Sequence, residues 1–107
     1  MHSFHNYKKV DVPIGGRKYI LYVADDQDKR RRGLSNVPFI AHNEGMLFVY
    51  PEPVCHAYTM EETKFPLKII FIDKEFQVIG SFEGLPKQKE EIQPEGDFMY
   101  VIEILNR

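Results

Sequence analysis

In AYTMEETKFPLKIIFID, residues 57–73, a polar segment with two adjacent acids runs into four consecutive apolar residues, Ile69 to Ile72. A strand sends successive side chains to opposite faces, so an unbroken apolar run requires cover on both. Pro66 holds Phe65 in an extended conformation and stops a helix from running in from the N-terminal side. The run is therefore expected to be the central strand of a sheet. Met60 to Phe65 is then first a corner of the fold and second a surface that a rigid strand presents.

Further strands are expected on both sides of this stretch. Toward the C-terminus, Asp73-Lys74-Glu75 reads as a hairpin connection into a strand at Phe76 to Phe82. Residues 83–97, EGLPKQKEEIQPEGD, form a long polar loop that is expected to be mobile, and Phe98 to Leu105 returns to strand character. Toward the N-terminus, Val54 to Met60 and Gly45 to Tyr50 read as strands, preceded by an irregular stretch from Leu34 to Asn43. Asp25 to Gly33 carries acids, then four bases, then glycine, the order expected of a short helix at Asp26 to Arg32. Val10, Val12 and Ile14 alternate with polar residues, and Gly15-Gly16 joins them to Arg17 to Ala24 as a tight hairpin. Pro13 cannot donate to a sheet ladder, which assigns that first strand to an edge. The expectation is an all-β fold, a compact β-sandwich or flattened barrel of about seven strands with one short helix.

With 107 residues, 43% of them hydrophobic, the chain is expected to form one domain (residues 1–107) around its own core, with residues 1–8 frayed. A net charge of -2 disfavours binding of nucleic acid or membrane by charge alone. Cys55 is the single cysteine, so no internal disulfide forms. Neither a signal peptide nor an apolar stretch of membrane-spanning length is found, and a soluble, cytoplasmic protein is expected, monomeric or a small homo-oligomer.

Four blocks carry a resemblance: Val23-Ala24-Asp25 leading to Arg32-Gly33-Leu34; Glu44-Gly45-Met46-Leu47-Phe48-Val49-Tyr50; Met60 to Leu67 running into Ile69-Ile70-Phe71-Ile72-Asp73; and Tyr100-Val101-Ile102-Glu103-Ile104-Leu105. In order and spacing they resemble the domain-of-unknown-function family 192 (DUF192). The resemblance implies a compact, mostly β domain and no established activity. Two positions depart from the family pattern. Glu62 stands where members usually have asparagine, and Lys68 where they usually have aspartate, so an ion pair between the two is expected.

Glu61 and Glu62 point to opposite sides of an extended segment and do not form a carboxylate pair facing one bond. Glu44 with Glu62, assisted by His56, is the arrangement left for a small carboxylate-dependent hydrolase. Cys55 and His56 are neighbours on a strand and face apart, so Cys55 reads as a small buried residue while His56 and Tyr58 share a face that can line a pocket. His2, His5, His42 and His56 complete no metal-ligand spacing, and no cofactor is implied. Lys29 to Arg32 fan out around a helix, which makes a nucleic-acid patch the weakest reading. The leading expectation is a non-catalytic accessory or binding domain acting through a protein partner or small ligand. Its contact face comprises Glu44, His56, Tyr58, Met60, Glu62, Thr63, Lys64 and Phe65.

Overall fold

The computed structural model describes residues 4–106; the first part of the expected frayed terminus, including His2, lies outside the described residues. Six strands and one helix follow in the order β1 (Lys8–Ile14), β2 (Arg17–Ala24), α1 (Gln27–Arg32), β3 (Glu44–Val54), β4 (Leu67–Ile72), β5 (Val78–Gly84) and β6 (Phe98–Leu105). All six belong to one sheet in the order β1-β2-β3-β6-β4-β5, which is not closed into a barrel. Neighbours are antiparallel except β2 and β3, which run parallel. A parallel pair needs a crossover, and α1 with the irregular stretch after it supplies this one.

The mostly-strand fold with one short helix is as expected. Gly15 and Gly16, at φ 57° and 82°, close the β1–β2 hairpin with Ile14 opposite Arg17. Both lie in the left-handed region that two-residue hairpin turns demand. Beyond its chain neighbours no atom lies within 4 Å of a Cβ added at Gly16, so Gly16→Ala isolates the backbone effect. It is expected to destabilise by about 1 kcal/mol. Gly15→Asn is expected to stay within about 0.5 kcal/mol of wild type. Urea unfolding followed by far-UV circular dichroism checks both. Asp26 caps α1, its side chain accepting the Lys29 amide at 2.8 Å, and Gly33 ends it.

Period-2 alternation sorts the sheet into two apolar faces. One carries Met46, Phe48 and Tyr50 of β3, Val101 of β6, and Leu67, Ile69 and Phe71 of β4. Leu34, Val37, Ile40, Met60, Phe65 and Ile92 from the connections cover it. The other carries Tyr19, Leu21, Ile70, Ile102 and Ile104, with Val12, Ile14, Leu47 and Ile72 against them. Ile69, Ile70 and Phe71 are buried on both faces, as expected, but β4 is not the central strand. β6 lies between β3 and β4, and four consecutive residues of it, Val101 to Ile104, are buried.

Several local expectations are corrected. Val54 to Met60 is not a strand. β3 continues to Val54 through a register shift after Val49, and the chain then leaves the sheet with one bridge, Tyr58 to Ile92. Pro51 and Pro53 lack the amide hydrogens that a continuing ladder would use. β5 begins at Val78 because Asp73 Oδ1 accepts the amides of Glu75 and Gln77 and shapes a turn that includes Phe76, at φ 65°. Glu83 and Gly84 belong to β5, and the connection that follows carries the buried Ile92. Among the described residues no ion pair joins Glu62 and Lys68. Lys68 lies opposite Glu83 on β5, and strand pairing fixes it there. Cys55 is exposed, its Sγ accepting a hydrogen bond from Gln93 Nε2 at 3.5 Å, because the segment that carries it has left the sheet.

Candidate functional site

β6 places an acid where its alternation calls for an apolar side chain. Val101, Glu103 and Leu105 share the main core face, and Glu103 lies in register between Met46 of β3 and Ile69 of β4. It is 5% exposed. Among the described residues no hydrogen bond or ion pair reaches its carboxyl. Burial penalises the charged form with no cation alongside to compensate, and pushes this carboxyl up to about 8.

The wall beside Glu103 is built by the irregular end of β3 and the segment after it. Tyr50 is the core-facing residue at the start of the register shift, next to Val49. Its hydroxyl lies 2.7 Å from the Tyr58 hydroxyl and 3.2 Å from His56 Nε2. Two backbone hydrogen bonds, Tyr58 N to Ile92 O at 2.8 Å and Ile92 N to Tyr58 O at 2.9 Å, pin Tyr58 in place. The His56 ring stacks on Tyr58 with centroids 5.9 Å apart, and Phe48 meets Tyr58 edge-on at 5.3 Å. Burial raises both phenols, and the nearby Glu103 adds to the effect on each. Both tyrosines therefore remain neutral hydrogen-bonding groups at physiological pH.

The mouth is formed by α1 and the residues that follow it. Arg30 donates from its guanidinium to Val49 O at 2.9 Å and sits 5.0 Å from the Tyr50 ring centroid, a cation–π contact. Arg31 and Arg32 are engaged with Asp28 at 2.7 and 2.6 Å, and Lys29 with Asp26 at 2.8 Å. The four-base run is thus largely matched by acids of its own helix and cap. Thr63 completes the lining. It is 4% exposed, and its hydroxyl has no hydrogen-bond partner among the described residues.

These elements line an open pocket of about 470 Å³ whose wall includes Glu103, Thr63, Tyr50, Tyr58 and the exposed His56. That is within the size range of small-molecule sites. Tyrosines aside, Glu103 and Thr63 are the buried polar side chains of the described residues, and both face this one cavity. Neither is sealed off from it, which distinguishes them from the enclosed Tyr7 hydroxyl.

Of the face expected from sequence, the cavity brings together His56, Tyr58 and Thr63. Met60 and Phe65 are buried in the core, while Glu62 and Lys64 are exposed. Glu44 stands at the opposite end of β3, where it accepts hydrogen bonds from Tyr22 Oη at 2.7 Å and from the Ala41 amide at 2.9 Å. The first of these bonds holds the Tyr22 phenol up to about 12. Neither Glu44 nor Glu62 lines the cavity with His56. Sequence reasoning passed over Glu103 and Arg30. For Glu103 a signal existed, a lone acid within the otherwise apolar run Val101 to Leu105. For Arg30 none did, because nothing separates it from its three basic neighbours.

A family model, DUF192, described as "Uncharacterized ACR", matches residues 10–106. No curated protein matches the chain. Two solved structures share the fold. One is a protein of unknown function from Novosphingobium aromaticivorans DSM 12444, 22% identical, with a TM-score of 0.79 over 94% of this chain and 74% of that one. The other is a candidate transcription regulator from Sinorhizobium meliloti 1021, 27% identical, with a TM-score of 0.76 over 92% of this chain and 81% of that one.

Proposed function

The chain belongs to the DUF192 family of uncharacterised proteins, and from a fold that brings no activity with it we propose that this domain binds a small ligand in the cavity over Glu103. One observation carries the reading. Two side chains that are more than nine-tenths buried, Glu103 and Thr63, share the cavity and have no protein hydrogen-bond partner. Their polar atoms are reached from the cavity rather than sealed in the core, unlike the Tyr7 hydroxyl, so their hydrogen-bonding capacity is offered to whatever occupies it. A ligand's own polar groups would engage both.

The lining agrees with this reading. Phe48, Tyr50 and Tyr58 supply apolar area, and a few converging polar groups fix orientation, the composition typical of small-molecule pockets. The Sinorhizobium relative is described as a candidate transcription regulator, and a ligand-sensing domain would suit such a protein. Direct nucleic-acid contact gains little support here, since the basic run is mostly occupied by Asp26 and Asp28.

The test is a fragment screen by heteronuclear NMR on the uniformly labelled chain. Binders are expected to shift Glu103, Tyr58 and Thr63 as a group, and Tyr58→Ala to weaken them at least about tenfold by removing an aromatic wall of the pocket. A screen whose binders all map to other surfaces, or that finds none, would overturn the proposal.

A further inference from the structure

Resting on the pocket reading, we infer that the ligand is a small organic amine bound as its cation, with the ammonium group seated at Glu103 and Thr63 and its apolar body against Phe48 and Tyr58.

The inference follows from what faces Glu103 on each side. β3 contributes Met46, Phe48 and Tyr50, and β4 contributes Ile69. The segment after β3 contributes His56, Tyr58 and Thr63, and α1 contributes Arg30, Arg31 and Arg32 at the mouth. The titratable groups among these are the two tyrosines, His56 and the three arginines. Arg30 is turned to Val49 O and the Tyr50 ring, and Arg31 and Arg32 to Asp28. The acid at the floor thus has no cationic partner. An ammonium group offers three donors and no acceptor. The groups that remain to be satisfied, a carboxyl and a threonine hydroxyl, can both accept, and aromatic faces nearby attract a cation. An anion could accept from the protonated carboxyl and the hydroxyls, but it would be repelled once Glu103 ionises. A neutral acceptor could take protons from Glu103 and the hydroxyls, but it brings no charge to pair with the carboxylate. The arginines at the mouth restrict the class further. They oppose a second positive charge, so a monoamine, or an amine with an acidic group at its outer end, fits better than a polyamine.

The proton balance is explicit. Below the pH at which Glu103 ionises in the free protein, the ligand arrives as R–NH3+ and meets a protonated carboxyl. The ion pair forms when the Glu103 O–H bond gives its proton to solvent, and no other covalent bond changes. A neutral ligand releases none.

Matched pairs of equal shape test this on the full chain, beginning with 2-phenylethylamine against 2-phenylethanol and extending to shorter and branched amine–alcohol pairs. Isothermal titration calorimetry at pH 6.5, in buffers of different ionisation heat, counts protons, and carboxyl-carbon NMR reports the charge of Glu103. The amine of at least one pair is expected to bind about tenfold or more tighter than its alcohol. It should release roughly one proton and shift the Glu103 carboxyl to its ionised position. Glu103→Gln should abolish the preference for the amine, and spermidine should bind more weakly than the monoamine. Alcohols that bind as well as their amines, or amines that bind without proton release, would overturn the amine assignment and leave the pocket reading standing. If no pair moved the resonances of Glu103, Thr63 or Tyr58, the amine assignment would also fall. The pocket reading would follow only if the wider fragment screen failed too.

Discussion

Glu103→Gln is expected to make the protein more stable than wild type, by a margin that grows with pH. The cause is the environment that the sheet imposes on this side chain. Glu103 is flanked by Met46 and Ile69 in register and has no cation beside it, and its carboxyl is held at about 8 against an ordinary 4.5. Below pH 4.5 native and unfolded chains both carry the proton, so the group adds no pH dependence. Between 4.5 and 8 the unfolded chain ionises and the native one does not. The native state then binds more protons, and stability falls as pH rises. Above 8 both are ionised and the loss is complete. For a carboxyl displaced this far, the loss is on the order of 3–5 kcal/mol, the lower end reflecting contact with an open cavity. Glutamine is neutral in both states and keeps nearly the same shape. The two proteins should therefore have similar urea midpoints near pH 4.5 and diverge steadily toward pH 9. Parallel stability curves across that range would show that Glu103 is not desolvated, and would remove the central premise of the pocket. A residue that costs stability at this scale is an obvious place for a stabilising substitution, and such sites commonly hold function.

Much of this was legible in the chain, and the boundary between legible and hidden has physical causes. The Gly15-Gly16 hairpin, the helix between Asp26 and Gly33, and the doubly buried Ile69 to Phe71 all follow from local rules of φ, capping and period-2 burial. These are properties of a few adjacent residues. The order of strands is not local. That β6 inserts between β3 and β4, and that β2 and β3 run parallel, depends on pairings between residues far apart in sequence. The site shows the same division. His56, Tyr58 and Thr63 are neighbours in the proposed pocket because they lie on one stretch that joins irregular backbone to a rigid strand. Glu103 joins them only through the β6–β3 pairing, and Arg30 only through the crossover. Glu44 was drawn into the expected face because it stands at a strand end. It is the wrong end of an eleven-residue strand, and Tyr22 and the Ala41 amide already occupy it. The expected pair of Glu62 and Lys68 fails because Lys68 is fixed within β4 by its pairing with β5.

Gly45→Ala is the second substitution with a large expected effect, and it acts in the opposite direction. Gly45 lies in β3 opposite Ile104 of β6 and Leu21 of β2, with neighbours on both sides of the sheet. A Cβ at this position would collide with the backbone oxygen of Glu103, lie 2.7 Å from Ile104 Cγ2 and 3.1 Å from Leu21 Cδ2. Side chains can turn aside, but a backbone oxygen in a central strand cannot move without shifting the strand. Leu21 and Ile104 are themselves packed in the core of the second face. The remaining route is to push β3 away from β6, which strains the pairing that holds Tyr50 and Glu103 on one cavity. Overpacking of this kind costs roughly 3 kcal/mol or more when the obstacle is backbone. This is several times the cost expected at Gly16, where only φ is at issue. Urea unfolding of Gly45→Ala beside Gly16→Ala makes the comparison directly. If Gly45→Ala cost no more than the hairpin substitution, β3 and β6 would not be as close as described. In the expected case the same variant should also lose fragment binding at Tyr58 and Thr63 while still folded at low denaturant. The glycine of Glu44-Gly45-Met46 would then be the residue whose missing side chain lets two distant parts of the sequence share one pocket.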